Sequence, residues 1–192
     1  MLYSVCAHAQ TLYNDSALYA AYKAEDMLLW QQYIESVDFS STSLSERQRC
    51  LCYEYGYAAA AIDAGKFDAD SALMRFEQHI KDLESTLPDA TVLAYNSALC
   101  AYKVKAGDSY ISNAFRSLRL SQQAYEADSL NPLALMMRGN VLFYAPKIAG
   151  GNKHLAQTFY ERAAKVYEES GDTLWSWNYD AVKMFITKCK RY

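Results

Sequence analysis

The sequence predicts an all-α fold, a stack of antiparallel helix hairpins forming one domain. Three observations predict it. Gly (7) and Pro (3) are scarce in 192 residues, about 5% against a usual share of roughly 12%, whereas a sandwich or barrel of short strands needs them at every turn. Apolar residues recur at helical spacing along nearly the whole chain, the pattern of amphipathic helices. The segments between are short and carry helix-stop and turn residues. An apolar share of 52% excludes a disordered chain, and the length suits a single core.

Taken in order, helices are expected over 14–36 with a break near Glu25-Asp26, then over 44–64, 68–86, 89–106, 110–128, 132–145, 152–169 and 174–190. The helix 44–64 stops at Ala64-Gly65-Lys66. Within 68–86, Leu73, Phe76, Ile80 and Leu83 fall at i, i+3, i+7 and i+10, one apolar face. Leu87-Pro88-Asp89 separates it from the next helix, which ends at Ala106-Gly107-Asp108. Leu130-Asn131-Pro132 divides 110–128 from 132–145, and Pro146 through Asn152 leads into 152–169 with Asn152 as the N-cap. After Ser170-Gly171-Asp172, the final helix sets Trp175, Tyr179, Val182, Ile186 and Cys189 on one face. Connections this short make sequential helices antiparallel neighbours.

The helices also repeat. Gly56, Ala98 and Gly139 each sit inside an aromatic or aliphatic helix, separated by 42 and 41 residues. Each is followed by a turn and a second helix, carrying Ala72/Phe76, Ser117/Ser121/Ala124 and Ala156/Tyr160/Ala163 respectively. Small side chains at such places let two antiparallel helices cross closely. At Gly139 that close packing must offset about 1 kcal/mol of lost helix propensity.

On these residues, Leu133 to Tyr167 resembles a tetratricopeptide repeat: Leu135, Gly139, Leu142, Ala156, Tyr160 and Ala163 match its signature places. Arg138 and Glu168 depart from it, and Pro146 to Gly150 expands the turn. The hairpin 89–128 matches more loosely, ending in Ala124-Tyr-Glu-Ala-Asp128, and the hairpin 44–86 keeps Cys52, Gly56, Ala72 and Phe76 but has His79 at a small-residue place. The period near 41 residues, against about 34 for this repeat, leaves longer helical-hairpin repeats as neighbours. The resemblance implies an α-α superhelix with a C-terminal capping helix. It also implies a concave face built from the first helix of each pair, which places Tyr53, Tyr57, Tyr95, Asn96, Tyr102, Met136, Met137, Asn140, Phe143 and Tyr144 toward a groove. Tyr suits such a face, since it offers a large rigid ring and a hydroxyl at low entropy cost; any of these rings can instead fill the packing between helices. Asn140 matches a place where peptide-binding members hold ligand backbone. The lysines that clamp a terminal carboxylate have no counterparts, so recognition of a free C-terminus is not expected.

Other chemistries find little support. A net charge of −3 gives no basic footprint for nucleic acid, and no stretch approaches the roughly 18 apolar residues of a membrane span. The five cysteines, Cys6, Cys50, Cys52, Cys100 and Cys189, contain no CxxC pair, so neither a disulfide framework nor a zinc site is expected, and they read as small buried hydrophobes. His8, His79 and His154 lack metal-binding spacing. The loop Ala149-Gly150-Gly151-Asn152-Lys153 has the glycines of an anion cradle but not the P-loop spacing, and reads as a tight turn. No G-x-S-x-G motif occurs. No catalytic residue, cofactor or metal is therefore assigned.

Two features bear on context. Ala7-His8-Ala9 has the form of a signal-peptidase site, but Leu2 to Ala7 is short for an h-region. Residues 1–10 are read as a signal-peptide remnant or a frayed terminus, leaning to an exported, periplasmic protein, and 11–192 as the helical domain. Trp175 and Trp177 begin a helix expected to cap the stack, the alternative being a homo-oligomer interface there. The composition and architecture are similar to those of small exported repeat proteins of bacteria. The expected function is a non-catalytic binding module or scaffold for a peptide or protein partner. Two alternatives stand beside it: a small-ligand-binding accessory subunit of a transport system, and an unrecognised hydrolase using groove carboxylates.

Overall fold

The computed structural model describes residues 14–40, 42–65, 68–174 and 176–192. Among these residues the chain forms nine α-helices and no strand. They are α1 (Asp15–Lys23), α2 (Met27–Glu35), α3 (Leu44–Ala64), α4 (Ala69–Leu83), α5 (Asp89–Lys105), α6 (Tyr110–Ala127), α7 (Pro132–Tyr144), α8 (Lys153–Ser170) and α9 (Trp177–Cys189). A 3₁₀ turn, Lys147–Ala149, lies between α7 and α8. The expected break near Glu25-Asp26 separates α1 from α2. The segment 1–10, with Cys6 and His8, and Trp175 lie outside the described residues.

Local chemistry sets these boundaries. Ser43 and Glu46 cap α3 reciprocally: the Ser43 hydroxyl accepts from the Glu46 N–H, and the Glu46 carboxylate accepts from the Ser43 N–H at 3.1 Å. Asn131 accepts from the N–H groups of Leu133 and Ala134, with Pro132 at the first position of α7. Asn152 accepts from the Leu155 N–H, the N-cap role read from the sequence. Gly65 and Gly171 end α3 and α8 in the left-handed conformation, φ 60° and 74°, which an L side chain adopts only with strain.

α3–α4, α5–α6 and α7–α8 pack as successive antiparallel hairpins, a superhelical repeat-like arrangement, with α3, α5 and α7 side by side along one face. The small residues lie where helices cross. α6 approaches α5 so closely that its fully buried residues are Ser117, Ser121 and Ala124, and the Ser97 hydroxyl donates to the Ser117 carbonyl at 2.9 Å. Gly139 of α7 meets Tyr160 of α8, where a Cβ would come within 2.7 Å of the ring. Gly56, at the equivalent place in its hairpin, meets Trp177 of α9 rather than α4.

That contact reflects how far α9 reaches. It packs along α8, as the cap of a stack does, and continues to α7 and α3. Its buried face is Trp177, Asn178, Ala181, Val182, Phe185 and Cys189. This is rotated from the face expected through Tyr179 and Ile186, because Ser176 caps the helix and the Trp177 indole N–H donates to the Cys52 carbonyl at 2.6 Å. Trp177 is thereby spent on the core. At its start α9 is also tied to α1, where Tyr19 donates to Asp180 at 2.7 Å and Lys23 pairs with the same carboxylate at 3.2 Å. No helix among the described residues is long and apolar enough to cross a membrane.

Candidate functional site

The ten residues assigned to a concave face divide sharply by burial. Tyr53, Tyr57, Tyr95, Met136 and Met137 are buried, Asn96, Tyr102, Asn140 and Phe143 are partly buried, and Tyr144 is exposed. The reason lies in what covers α3. Trp30 of α2 packs edge-on against both Tyr53 and Tyr57, at 6.5 and 5.8 Å between ring centroids, and the Tyr57 hydroxyl donates to Gln31 at 3.0 Å. These two rings therefore face the preceding helix pair and offer nothing to a groove. Tyr95 is enclosed by Tyr55 and Phe76, and the Asn96 amide donates to the Val92 carbonyl of its own helix.

Tyr55, one residue before Gly56, occupies the centre instead. Its ring stacks on Tyr102 at 5.5 Å and lies 5.0 Å from Trp177, so it joins α3, α5 and α9. The sequence register, which flanked Gly56 with Tyr53 and Tyr57, passed over it. The available signal was its spacing: Tyr55 lies three residues past Cys52, on the side of α3 that carries the Trp177 contact.

Asn140 is a polar hub within this cluster. Its amide oxygen accepts from the Tyr160 hydroxyl at 2.8 Å, and its amide nitrogen donates to the Tyr55 hydroxyl at 3.3 Å. With both ends of the carboxamide engaged inside the molecule, Asn140 orders α7 against α8 and α3. Burial pushes the phenols of Tyr55, Tyr102 and Tyr160 above their ordinary range, because the charged form would lose its hydration.

Toward the edge of the cluster the packing opens. Phe185 stacks on Tyr160 at 5.0 Å and touches Phe143 and Tyr144. Lys153 sits 3.2 Å above the Tyr192 ring and 5.2 Å from that of Phe143, within reach of a cation–π attraction. Tyr144 is 67% exposed at this rim. Of the predicted stripe, Phe143 and Tyr144 are what the fold brings together at an accessible edge, while Tyr102 is held inside against Tyr55.

Two other features singled out in the sequence are His79 and the loop 149–153. His79 is held by the buried carboxylate of Glu54, at 2.8 and 2.9 Å from its two oxygens, with Phe39 stacked 3.6 Å over the imidazole. Arg75 bridges Glu54 at 3.4 Å and Glu35 at 2.8 Å. This cluster pins α4 and the α2–α3 connection onto α3. Sequence reading missed Glu54, since a carboxylate amid aromatic residues has no local mark of burial. In the loop before α8, the N–H of Gly150 donates to Lys147, that of Gly151 to Pro146 and that of Asn152 to Leu142. A Cβ at Gly151 would collide with the Ala145 carbonyl, so its glycine serves a tight turn whose donors are already spent. Among the described residues no group of three His, Cys, Asp or Glu side chains converges as metal ligands do. No family model, curated protein or solved structure matches the chain.

Proposed function

We propose that the chain is a non-catalytic binding module, of the tetratricopeptide kind and exported, which docks a peptide or protein partner on the aromatic rim formed by Phe143 and Tyr144. The observation that carries this reading is Tyr144, 67% exposed beside a continuous aromatic cluster. An exposed ring backed by packed rings is a rigid apolar anchor, the type of residue that dominates interface energies. The helical-repeat architecture supports it, since such stacks exist to present extended surfaces.

A photo-crosslinking residue at position 144, compared with one at the equally exposed Leu130 (67%), tests the reading. A protein captured from 144 alone, and no longer co-purified with a folded Tyr144→Ala variant, is the expected result. Equal capture from both positions, or undiminished recovery by Tyr144→Ala, overturns it. Export is tested separately by N-terminal sequencing of secreted material, and chains retaining Met1 in the cytoplasm would refute it.

A further inference from the structure

The outer side of α6 carries a second surface, unrelated to the aromatic rim. Because α6 meets α5 through Ser117, Ser121 and Ala124, its large side chains project away from the core. Ile111 (71% exposed) and Phe115 (68% exposed) are four residues apart, and the partly buried Leu118 follows three later, forming one apolar stripe. Arg116 and Arg119 run alongside it. Arg138, projecting from α7, completes a cleft with Phe115, Leu118 and Glu126.

The arginines are what distinguish this cleft. Three guanidinium groups elsewhere are spent: Arg49 on Asp15 and Asp172, Arg75 on Glu35 and Glu54, Arg162 on Tyr125 and Ser129. Arg47 and Arg191 form no ion pair among the described residues, but here three unpaired groups line one cleft. Arg116, Arg119 and Arg138 make no hydrogen bond or ion pair among the described residues, and one terminal nitrogen of Arg138 is shielded from solvent without a partner. A buried donor left unsatisfied is costly, and among the residues lining this cleft Glu126 is the one carboxylate beside three cations, on a chain whose net charge is −3.

We propose that this cleft docks an acidic segment of a partner protein, one that sets apolar side chains against Ile111, Phe115 and Leu118 while its carboxylates pair with Arg116, Arg119 and Arg138. Bidentate carboxylate pairing suits guanidinium groups, and the apolar stripe supplies the desolvated contact that anchors an interface. A second copy of this chain fits worse, because a symmetric contact would set the three arginines against themselves. A nucleic-acid backbone leaves the stripe of Ile111 and Phe115 without a role.

The test pans a library of random linear peptides against the full chain, then measures synthesised hits by fluorescence anisotropy. Recovered peptides are expected to combine Asp or Glu with Leu or Phe. Their binding should weaken with salt and fall about tenfold or more in Arg116→Glu/Arg119→Glu, the scale of one lost charge-assisted contact. Phe115→Ser should lower it too, whereas Tyr144→Ala should leave it unchanged. These variants alter exposed residues, and circular dichroism verifies that each folds. Neutral or basic hits, hits indifferent to the arginine variants, or hits lost in Tyr144→Ala overturn the proposal. So does tighter binding of a single-stranded oligonucleotide at this face, or self-association in ultracentrifugation that Phe115→Ser abolishes.

Discussion

Gly56 of α3 and Trp177 of α9 lie in direct contact, so close that a Cβ on Gly56 would come within 2.8 Å of the indole. The indole cannot retreat freely, because its N–H is bonded to the Cys52 carbonyl and its ring lies 5.0 Å from Tyr55. Gly56→Leu is therefore expected to expel Trp177 and release α9 from α3, at a cost of about 1–3 kcal/mol or more from overpacking. Limited proteolysis should cut between α8 and α9 in the variant well before the wild type. Equal cleavage rates would show that the α3–α9 contact does not hold the C-terminal helix.

Gly139 gives a graded version of the same experiment. Its ideal Cβ falls 2.7 Å from Tyr160, a ring fixed by the Asn140 hydrogen bond and the Phe185 stack. Ala would gain about 1 kcal/mol of helix propensity but must displace a fully buried ring, so Gly139→Ala is expected to be destabilising despite its better propensity. Gly139→Leu should be severe, lowering Tm by well over the roughly 2–4 °C that 1 kcal/mol produces in a domain of this size. A melting temperature within a degree or two of wild type for Gly139→Leu would refute the packing assigned to α7 and α8.

These two glycines also mark how far the sequence could be read. Helix limits were legible because their causes are local: a Ser43/Glu46 box, Asn131-Pro132, Asn152 and the glycines 65 and 171 each act within a turn. The Gly139–Tyr160 crossing was legible because both partners belong to one hairpin. The burial of Tyr53 and Tyr57 against α2 was not, since it depends on Trp30 arriving from that helix, and the Gly56 partner was not, since Trp177 is far away in sequence. The α6 cleft escaped notice because its third arginine comes from α7, where Arg138 registered only as a departure from the repeat pattern.

Alkaline pH should unfold the protein cooperatively. Burial raises the phenols of Tyr55, Tyr95, Tyr102, Tyr160 and Tyr167 above the ordinary value of 10. The folded state thus keeps protons that the unfolded chain releases near pH 10, so the stabilising contribution is complete below that pH and is lost as pH rises beyond it. Phenolate absorbance and helical ellipticity are expected to change together above about pH 10. Full tyrosine ionisation with unchanged ellipticity would show that these rings are solvent-accessible.

The thiols provide an independent measure of the same core. Among the described residues Cys50, Cys52, Cys100 and Cys189 are free, and burial raises the pKa of each, that of Cys52 up to about 12. The Cys52 sulfur also accepts from the Asn178 amide at 3.0 Å, which places it under α9. Since the thiolate is the reacting species, iodoacetamide at mildly alkaline pH should leave all four unlabelled in the native protein and label them in urea. Gly56→Leu is expected to expose Cys52 first, because the Trp177 and Asn178 contacts that cover it depart with α9. Peptide mapping by mass spectrometry resolves the four sites. Labelling of Cys52 at the same native rate in both proteins would separate its protection from α9 and overturn the link between the two.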